Sequence, residues 1–397
     1  IELTHNSKSK RPAIFFDVDG VLNFEPGTHG VLGPDDLLLI PGAGDAVRQA
    51  HEAGMVTVAV TNRSQVARGL VSFDDLDRIL DRLEALLADS GGVLDRIYFC
   101  PHHPDGDLPG GIPELKIACE CRKPGSLMLR QAMADFPIDA ARSAAIGDSL
   151  RDIGAARGAG VWAYGVRTGH GCRDAARYPG GPQAVPAPDL MFDDVGEAVD
   201  FCIRYRTIAE PVLTATGQRP RNASPLIVAI CGRSRSGKSV AAHAVARALI
   251  DEATPNLHVK LDDWIMPAAE RPADADAEMR SRVDLLPGIV DSLRSGRAVT
   301  APGYDAQTRG PSPGTTYDPS GCQVIILDGL FAAHPSIRDR VDLSVFVEPP
   351  SAAQAKARFV ELYRWKGFSE GTIEDQWRHR TDDEWPKIDA QRQNADL

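Results

Sequence analysis

Ala13-Ile14-Phe15-Phe16-Asp17-Val18-Asp19-Gly20 decides the reading of the first half of this chain. A wholly apolar run that ends in two acids is a buried strand delivering carboxylates to the carboxyl edge of a sheet, where open α/β folds bind ligands. Two residues apart on extended chain, Asp17 and Asp19 point the same way. Asp17 could attack a phosphoryl group. Asp19 could protonate the leaving oxygen and then activate water against the aspartyl phosphate. An Asp-x-Asp-Gly string arises by chance in roughly one chain of average composition in ten, so its surroundings carry the argument.

Outward from this stretch, apolar runs at Val56 to Val60, Arg96 to Phe99, Ser143 to Ile146 and Val161 to Val166 alternate with amphipathic stretches such as Asp74 to Leu87. That alternation predicts a parallel sheet covered by helices. A second such unit opens at Leu226 to Cys231 and continues through Leu257 to Leu261, Val324 to Leu327 and Leu343 to Val347. A length of 397 residues fits about two domains. The expected division is a flexible N-terminus over 1–11, a first domain over 12–205, a linker over 206–224 containing Pro211, Gly217 and Pro220, and a second domain over 225–397. The polar start Ile1 to Lys8 has no initiator Met and reads as a processed, truncated or tag-derived end.

The net charge of -11 argues against a large nucleic-acid footprint and leaves small anionic substrates open. No apolar run reaches the roughly 18 residues that a bilayer demands, and nothing resembles a secretion signal. Of seven cysteines, Cys100, Cys119 and Cys121 cluster and the others scatter, a pattern expected of metal ligation plus reduced thiols in a cytoplasmic protein.

Three further pieces support phosphoryl chemistry in the first domain. Thr61-Asn62 ends a strand with a hydroxyl and an amide suited to phosphate oxygens. Arg122-Lys123 adds positive charge. Asp148, in Gly147-Asp148-Ser149, brings another strand-end carboxylate, so that Asp17, Asp19 and Asp148 are the expected Mg2+ ligands, with Asp152 in support. These pieces resemble the haloacid dehalogenase superfamily of aspartyl phosphatases from about Pro12 to Tyr205. The resemblance implies a nucleophile at Asp17, an acid/base at Asp19, and further motifs at Thr61, Lys123 and Asp148. Val21 departs from the Thr usual there.

Cys100-Pro101-His102-His103 and Cys119-Glu120-Cys121 are two close pairs of soft ligands separated by a loop. They suit a tetrahedral Zn2+ held by Cys100, His102, Cys119 and Cys121, with His103 left out and no position open for catalysis. With Thr61-Asn62-Arg63-Ser64-Gln65-Val66-Ala67-Arg68-Gly69, they resemble the zinc-loop phosphatases that act on heptose 1,7-bisphosphate or histidinol phosphate. That resemblance implies a structural zinc that places Arg122 beside the phosphate.

In the second domain, Gly232-Arg233-Ser234-Arg235-Ser236-Gly237-Lys238-Ser239 follows a strand and precedes the helical run Val240 to Ile250, the context of a Walker A loop. Backbone around Gly232, Ser236 and Gly237 could wrap the phosphates of ATP, Lys238 could neutralise them, and Ser239 with Asp328 could hold Mg2+. Asp262 is the candidate base for an acceptor hydroxyl, with Trp264 packed beside that acceptor. Either acid could instead cap a helix. These residues resemble the uridine kinase and nicotinamide riboside kinase group. The resemblance implies substrate contacts at Tyr304 and Asp305, and a basic lid over ATP containing Arg358, Arg364 and Lys366.

The fold class expected is therefore α/β with two domains, a Rossmann-like parallel sheet of haloacid dehalogenase type followed by a P-loop kinase parallel sheet. The expected function is a bifunctional phosphatase and ATP-dependent kinase of small, sugar-like phosphorylated metabolites. The alternative is a polynucleotide 5'-kinase/3'-phosphatase, which joins the same two chemistries in the same order.

Overall fold

Each apolar run named above is a strand, and the strands assemble into two separate parallel sheets. The structure, a computed structural model, describes residues 10–25, 27, 29–106, 110–178, 187–217, 224–306, 308–349 and 351–397. Its two units are Ile1–Arg204 and Tyr205–Leu397. Among the described residues no helix is long and apolar enough to cross a membrane.

The first unit runs β1 (Ala13–Phe16), α1 (Ala43–Glu52), β2 (Val56–Asn62), α2 (Phe73–Ala88), β3 (Arg96–Cys100), α3 (Leu127–Asp135), β4 (Ala144–Gly147), α4 (Leu150–Ala159), β5 (Trp162–Val166), β6 (Leu190–Phe192) and the start of α5 (Val195–Gly217). The strand order is β3-β2-β1-β4-β5-β6, with every neighbouring pair parallel. Chain order reverses between β1 and β4, and such a switch point opens a crevice at the carboxyl ends of the strands. Asp17 follows β1, Asp148 follows β4, and Thr61 and Asn62 close β2. Local sequence fixes the helices. In α2, Ser72 accepts from Asp75 N at 3.1 Å, and Leu76, Ile79, Leu80, Leu83 and Leu87 bury one stripe. Phe15, Val58, Leu129, Ala145 and Ile153 meet in the core, where full burial of a large apolar side chain contributes about 1.5–3 kcal/mol.

The second unit contains β7 (Leu226–Gly232), α6 (Lys238–Asp251), β8 (Asn256–Lys260), α7 (Ala277–Arg280), α8 (Leu286–Arg294), β9 (Val299–Ala301), β10 (Tyr304–Asp305), β11 (Gly310–Pro311), β12 (Thr315–Tyr317), β13 (Val324–Asp328), β14 (Leu343–Val347), α9 (Ala352–Trp365), α10 (Glu370–His379) and α11 (Trp385–Ala390). Its main sheet has the order β14-β7-β13-β8, all parallel, and β9–β12 and β10–β11 form two small antiparallel pairs. Between α10 and α11, Arg380–Glu384 is π-helical.

Two boundaries differ from the sequence reading. Residues 206–217 of the expected linker 206–224 are helical, as the end of α5. Tyr205, Ala209, Val212 and Leu213 are buried at helical spacing, an apolar stripe that Pro211 obscures in the sequence. The ring of Tyr205 lies under the Arg247 guanidinium, 4.1 Å away, and Arg206 pairs with Glu252 at 2.9 Å. Residues 218–223 of that linker lie outside the described residues. So do 1–9 of the expected flexible start. Arg11, also assigned to that start, is held by a 2.7 Å bond from its amide to Pro137 O.

Candidate active sites

Lys123 is the hub of the first site. Its ammonium, about 4% exposed, lies 2.7 Å from Asp17 Oδ1 and 2.6 Å from Asp152 Oδ1, and donates to Val60 O at 2.9 Å. Two different elements place it there. Asn62, at the end of β2, accepts from Lys123 N at 3.0 Å and donates to Lys123 O at 3.3 Å. Asp152, in the first turn of α4, also accepts from Ser149 N at 3.0 Å, so one carboxylate caps the helix and pairs the lysine. Asn62, expected to hold phosphate, thus spends its amide on the Lys123 backbone while still lining the cavity.

Asp17, Asp148 and Asp152 bring carboxylate oxygens within 4.8 Å of one another. Burial and Asp152 push the Asp17 carboxyl up to about 7 against the pull of Lys123. Burial, Asp17 and Asp152 push Asp148 well above its ordinary range. Three buried carboxylates against one ammonium leave an excess of negative charge, which fits a hard divalent cation with oxygen ligands. Gly20 contributes by absence. Its φ is +86°, and a Cβ there would run into the Asp148 carboxylate.

Asp19, expected among the Mg2+ ligands, keeps its side chain out of this cluster. Its Oδ2 pairs with Arg63 Nη1 at 2.7 Å, and Asn23 Nδ2 donates to Oδ1 at 3.1 Å. Sequence reasoning missed Arg63 as a partner although it lies in the quoted Thr61 to Gly69 segment. The signal was a charged residue two positions beyond a strand-end Thr, and it is almost fully buried. Thr61, Arg122, Lys123 and the three clustered acids line a cavity of about 250 Å3, together with Arg68, Arg151 and His170. His170 N donates to Asp148 Oδ2 at 2.7 Å. Burial and the neighbouring Arg151 lower the pKa of Arg122.

The four expected zinc donors converge. Cys100 Sγ lies 3.2 Å from Cys121 Sγ and 3.6 Å from Cys119 Sγ, Cys119 and Cys121 are 3.3 Å apart, and His102 Nδ1 is 3.2 Å from Cys121 Sγ. A tetrahedron with zinc–sulfur bonds of about 2.3 Å has edges of about 3.8 Å, close to these separations, so the donor set fits zinc in kind and spacing. His103 is outside it and accepts from Asp105 N at 3.1 Å. Arg122 Nη1 donates to His102 O at 3.2 Å, which ties the cluster to the phosphatase cavity.

In the second unit β7 turns at Gly232, where φ is +147° and a Cβ would clash with Val347 O and with Ser236 Oγ. The loop enters α6 through Gly237 at φ +96°, leaving the first amides of the helix free for an anion. Ser239 Oγ donates to Asp328 Oδ1 at 3.4 Å, and His258 Nε2 lies 3.3 Å from Asp328 Oδ2. Burial would raise Asp328, but His258, Lys238 and Ser239 outweigh it and hold the carboxyl below its ordinary value. A hydroxyl beside an ionised strand-end carboxylate fits Mg2+.

Lys238, Asp262, Tyr304 and Lys366 line one cavity of about 260 Å3. Asp262 is exposed to that cavity but walled in by protein. Burial raises its carboxyl, Lys238 pulls it down, and Asp328 adds to the rise. Arg358 and Arg364 stand outside this wall. Arg364 is exposed and paired with Glu370 at 2.6 Å because the buried stripe of α9 runs through Phe359 and Tyr363. The cavity arginines are instead Arg271, Arg280, Arg309 and Arg380. Asp305, the last residue of β10, accepts from Thr308 N at 3.3 Å. Trp264, expected beside the acceptor, is buried in the core and stacked on Tyr317 with ring centres 5.6 Å apart.

Residues 120–198 match the HAD-hydrolase-like family, and residues 227–397 match the Phosphoribulokinase / Uridine kinase family. The D-glycero-beta-D-manno-heptose-1,7-bisphosphate 7-phosphatase of Yersinia pestis is 42% identical over 151 residues, 38% of this chain and 77% of that protein. The D-glycero-D-manno-heptose-1,7-bisphosphate 7-phosphatase of Thermosynechococcus vestitus is 40% identical over 194 residues, 48% of this chain and 95% of that protein. Among solved structures, the D,D-heptose 1,7-bisphosphate phosphatase of B. bronchiseptica with magnesium and phosphate is 33% identical, covering 48% of this chain and 96% of that one at a TM-score of 0.41. The chain thus belongs, in its first half, to the haloacid dehalogenase-like phosphatases as a homologue of the heptose bisphosphate phosphatases, and in its second to the phosphoribulokinase and uridine kinase family, a hydrolase and a transferase on one polypeptide.

Proposed function

We propose that the first unit hydrolyses one phosphate of a bisphosphorylated, heptose-like sugar and that the second transfers the γ-phosphate of ATP to a hydroxyl of a small metabolite. One observation carries this reading. In each unit the charged residues that phosphoryl chemistry calls for line one cavity, Asp17 with Lys123 in one and Lys238 with Asp262 in the other. The kinship of the first unit with heptose bisphosphate phosphatases favours a sugar bisphosphate as its substrate.

In the phosphatase, Asp17 attacks phosphorus and the phosphorus–oxygen ester bond breaks, while Asp19 gives a proton to the departing alkoxide. Asp19 then takes a proton from water, whose oxygen attacks the aspartyl phosphate, frees inorganic phosphate and restores Asp17. Lys123 holds Asp17 in line, and Thr61 and Arg122 hold the phosphoryl oxygens. Asp17 and Asp148 would hold Mg2+, which would supply positive charge to offset that of the phosphate. Cys100, His102, Cys119 and Cys121 would hold zinc in a structural role, and the bond from Arg122 to His102 O keeps that arginine at the cavity. In the kinase, Asp262 takes the acceptor's hydroxyl proton, its oxygen bonds to the γ-phosphorus, and the bond from that phosphorus to ADP breaks. The loop from Gly232 to Ser239 and Lys238 hold the ATP phosphates, and Ser239 and Asp328 would hold Mg2+ to offset their charge.

A metabolite screen on wild type, Asp17→Asn and Lys238→Ala tests this. Asp17→Asn should abolish phosphate release from heptose 1,7-bisphosphate and spare ATP consumption, and Lys238→Ala should do the reverse. Loss of both activities in either variant would contradict two independent centres.

A further inference from the structure

Resting on the kinase reading above, we infer that the acceptor itself carries a phosphate monoester, held by Arg271, Tyr304 and Arg309 beside the base Asp262. Arg271 comes from one segment and Tyr304 and Arg309 from another, and all three line the cavity. Arg271 Nη2 donates to Tyr304 OH at 3.3 Å, and Ala268 N donates to Arg309 O at 2.8 Å. The β10–β11 hairpin that carries Tyr304, and that Arg309 leads into, is itself tied to the Asp262 turn, because Gly303 N donates to Asp263 O at 3.0 Å. The hairpin bearing Tyr304 and Arg309 is thereby tied to the turn that bears Asp262, and all three residues line the same cavity.

The charge count separates these residues from the rest of the cavity. Arg380 is neutralised by Glu384 at 2.9 Å, and Arg280 by Asp383 at 2.9 Å. Lys238 belongs to the ATP loop, and Lys366 donates to Ala306 O at 2.8 Å. Arg271 spends Nε on Met266 O and one Nη on Tyr304, and has no carboxylate partner among the described residues. Arg309 has no side-chain partner among the described residues. In a chain whose net charge is -11, two guanidiniums without acids facing one cavity are a recognition feature for an anion. Arg309 also adopts φ +58° although the next residue is Gly310, which takes that conformation with less strain. The backbone holds an arginine there where a glycine lies one position away.

A neutral acceptor such as a nucleoside or free sugar would leave both guanidiniums without an anionic partner. A sugar phosphate satisfies them in the forked geometry that guanidinium and phosphate share. The kinase product then carries two phosphates, the class of molecule proposed above for the phosphatase, so the second unit would supply what the first consumes.

The test measures ADP release by the full chain with matched acceptor pairs, heptose 7-phosphate against heptose and ribulose 5-phosphate against ribulose, with uridine alongside. ADP release is not produced by the phosphatase. The expected result is a preference of at least about tenfold in kcat/KM for the phosphorylated member of a pair. Arg309→Ala and Arg271→Ala should each raise the acceptor KM about tenfold to a hundredfold with ATP KM within twofold, which also shows that the variants fold, and Arg309→Lys should recover part of the loss. Preference for heptose, ribulose or uridine would overturn the inference and leave the kinase reading standing. A rise in ATP KM with an unchanged acceptor KM would also overturn it, by assigning these arginines to the nucleotide. Absence of ADP with every acceptor would remove the kinase reading and this inference with it.

Discussion

Lys123→Met keeps most of the length of this side chain and removes a charge lying 2.7 Å from Asp17 and 2.6 Å from Asp152. At an effective dielectric constant of about 20, each contact represents roughly 6 kcal/mol of gross attraction. Repulsion among the acids and the cost of dehydrating the ammonium cancel much of it. Removing one partner of a buried pair typically costs about 3–5 kcal/mol. Proton uptake limits the loss here. Burial and Asp152 already push Asp17 up to about 7 with the lysine present, so without it the carboxyl becomes neutral near physiological pH. We expect a loss near the lower bound, about 3 kcal/mol, confined to the first unit. Hydrolysis should fall at least about a hundredfold, because a protonated carboxyl is a poor nucleophile and a phosphate-facing charge is gone. Hydrogen exchange by mass spectrometry on β1 and β4 peptides of the full chain reads the stability term, with β7 and β13 peptides as internal reference. Phosphate release from heptose 1,7-bisphosphate reads the chemical term. Opening free energies within about 1 kcal/mol of wild type, together with hydrolysis within tenfold, would refute the assignment of Lys123 as the charge that makes this carboxylate cluster viable.

Treatment with a zinc-selective chelator, or Cys119→Ser, should release zinc measurable by elemental analysis and expose the segment around Arg122 to protease, lowering hydrolysis while ADP release persists. Arg63→Gln should slow hydrolysis about tenfold through loss of the Asp19 partner, with a larger effect on substrates with poor leaving groups. Asp262→Asn should lower the kinase kcat by about a hundredfold or more with ATP KM within twofold, since its carboxylate acts on the acceptor. Arg364→Ala should leave ATP KM within twofold, because that side chain is exposed and paired with Glu370.

The strands and their terminal acids were legible because a buried parallel strand is written as a continuous apolar run, and the residue after it is placed by the sheet. Asp17 and Asp148 follow that rule and Asp328 closes its strand, and the convergence of Cys100, His102, Cys119 and Cys121 was legible from type and spacing. Side-chain direction was not. Asp19 sits where the strand delivers it, but its carboxylate turns to Arg63, a choice made by a long-range ion pair. Arg364 and Arg380 are equally basic in the sequence. Burial of Phe359 and Tyr363 turns the first outward, while the winding beyond α10 turns the second into the cavity. The end of α5 was hidden by Pro211, whose local signal was overridden by an apolar stripe.

The π-helical turn at Arg380–Glu384 gives the kinase cavity a genetic dial. Such a turn contains one residue more than α-helical winding needs. Deleting a single codon within it would restore ordinary winding and keep the residues beyond near their present places, because the wide turn already absorbs the extra residue. Lys387, 2.7 Å from Asp276, and Asp389, bonded to Arg233, would keep their partners, and the side chains displaced would be those of the turn itself, among them Arg380 and Glu384, which line the cavity. The length of this turn therefore sets which charges reach the cavity without disturbing the helix that follows.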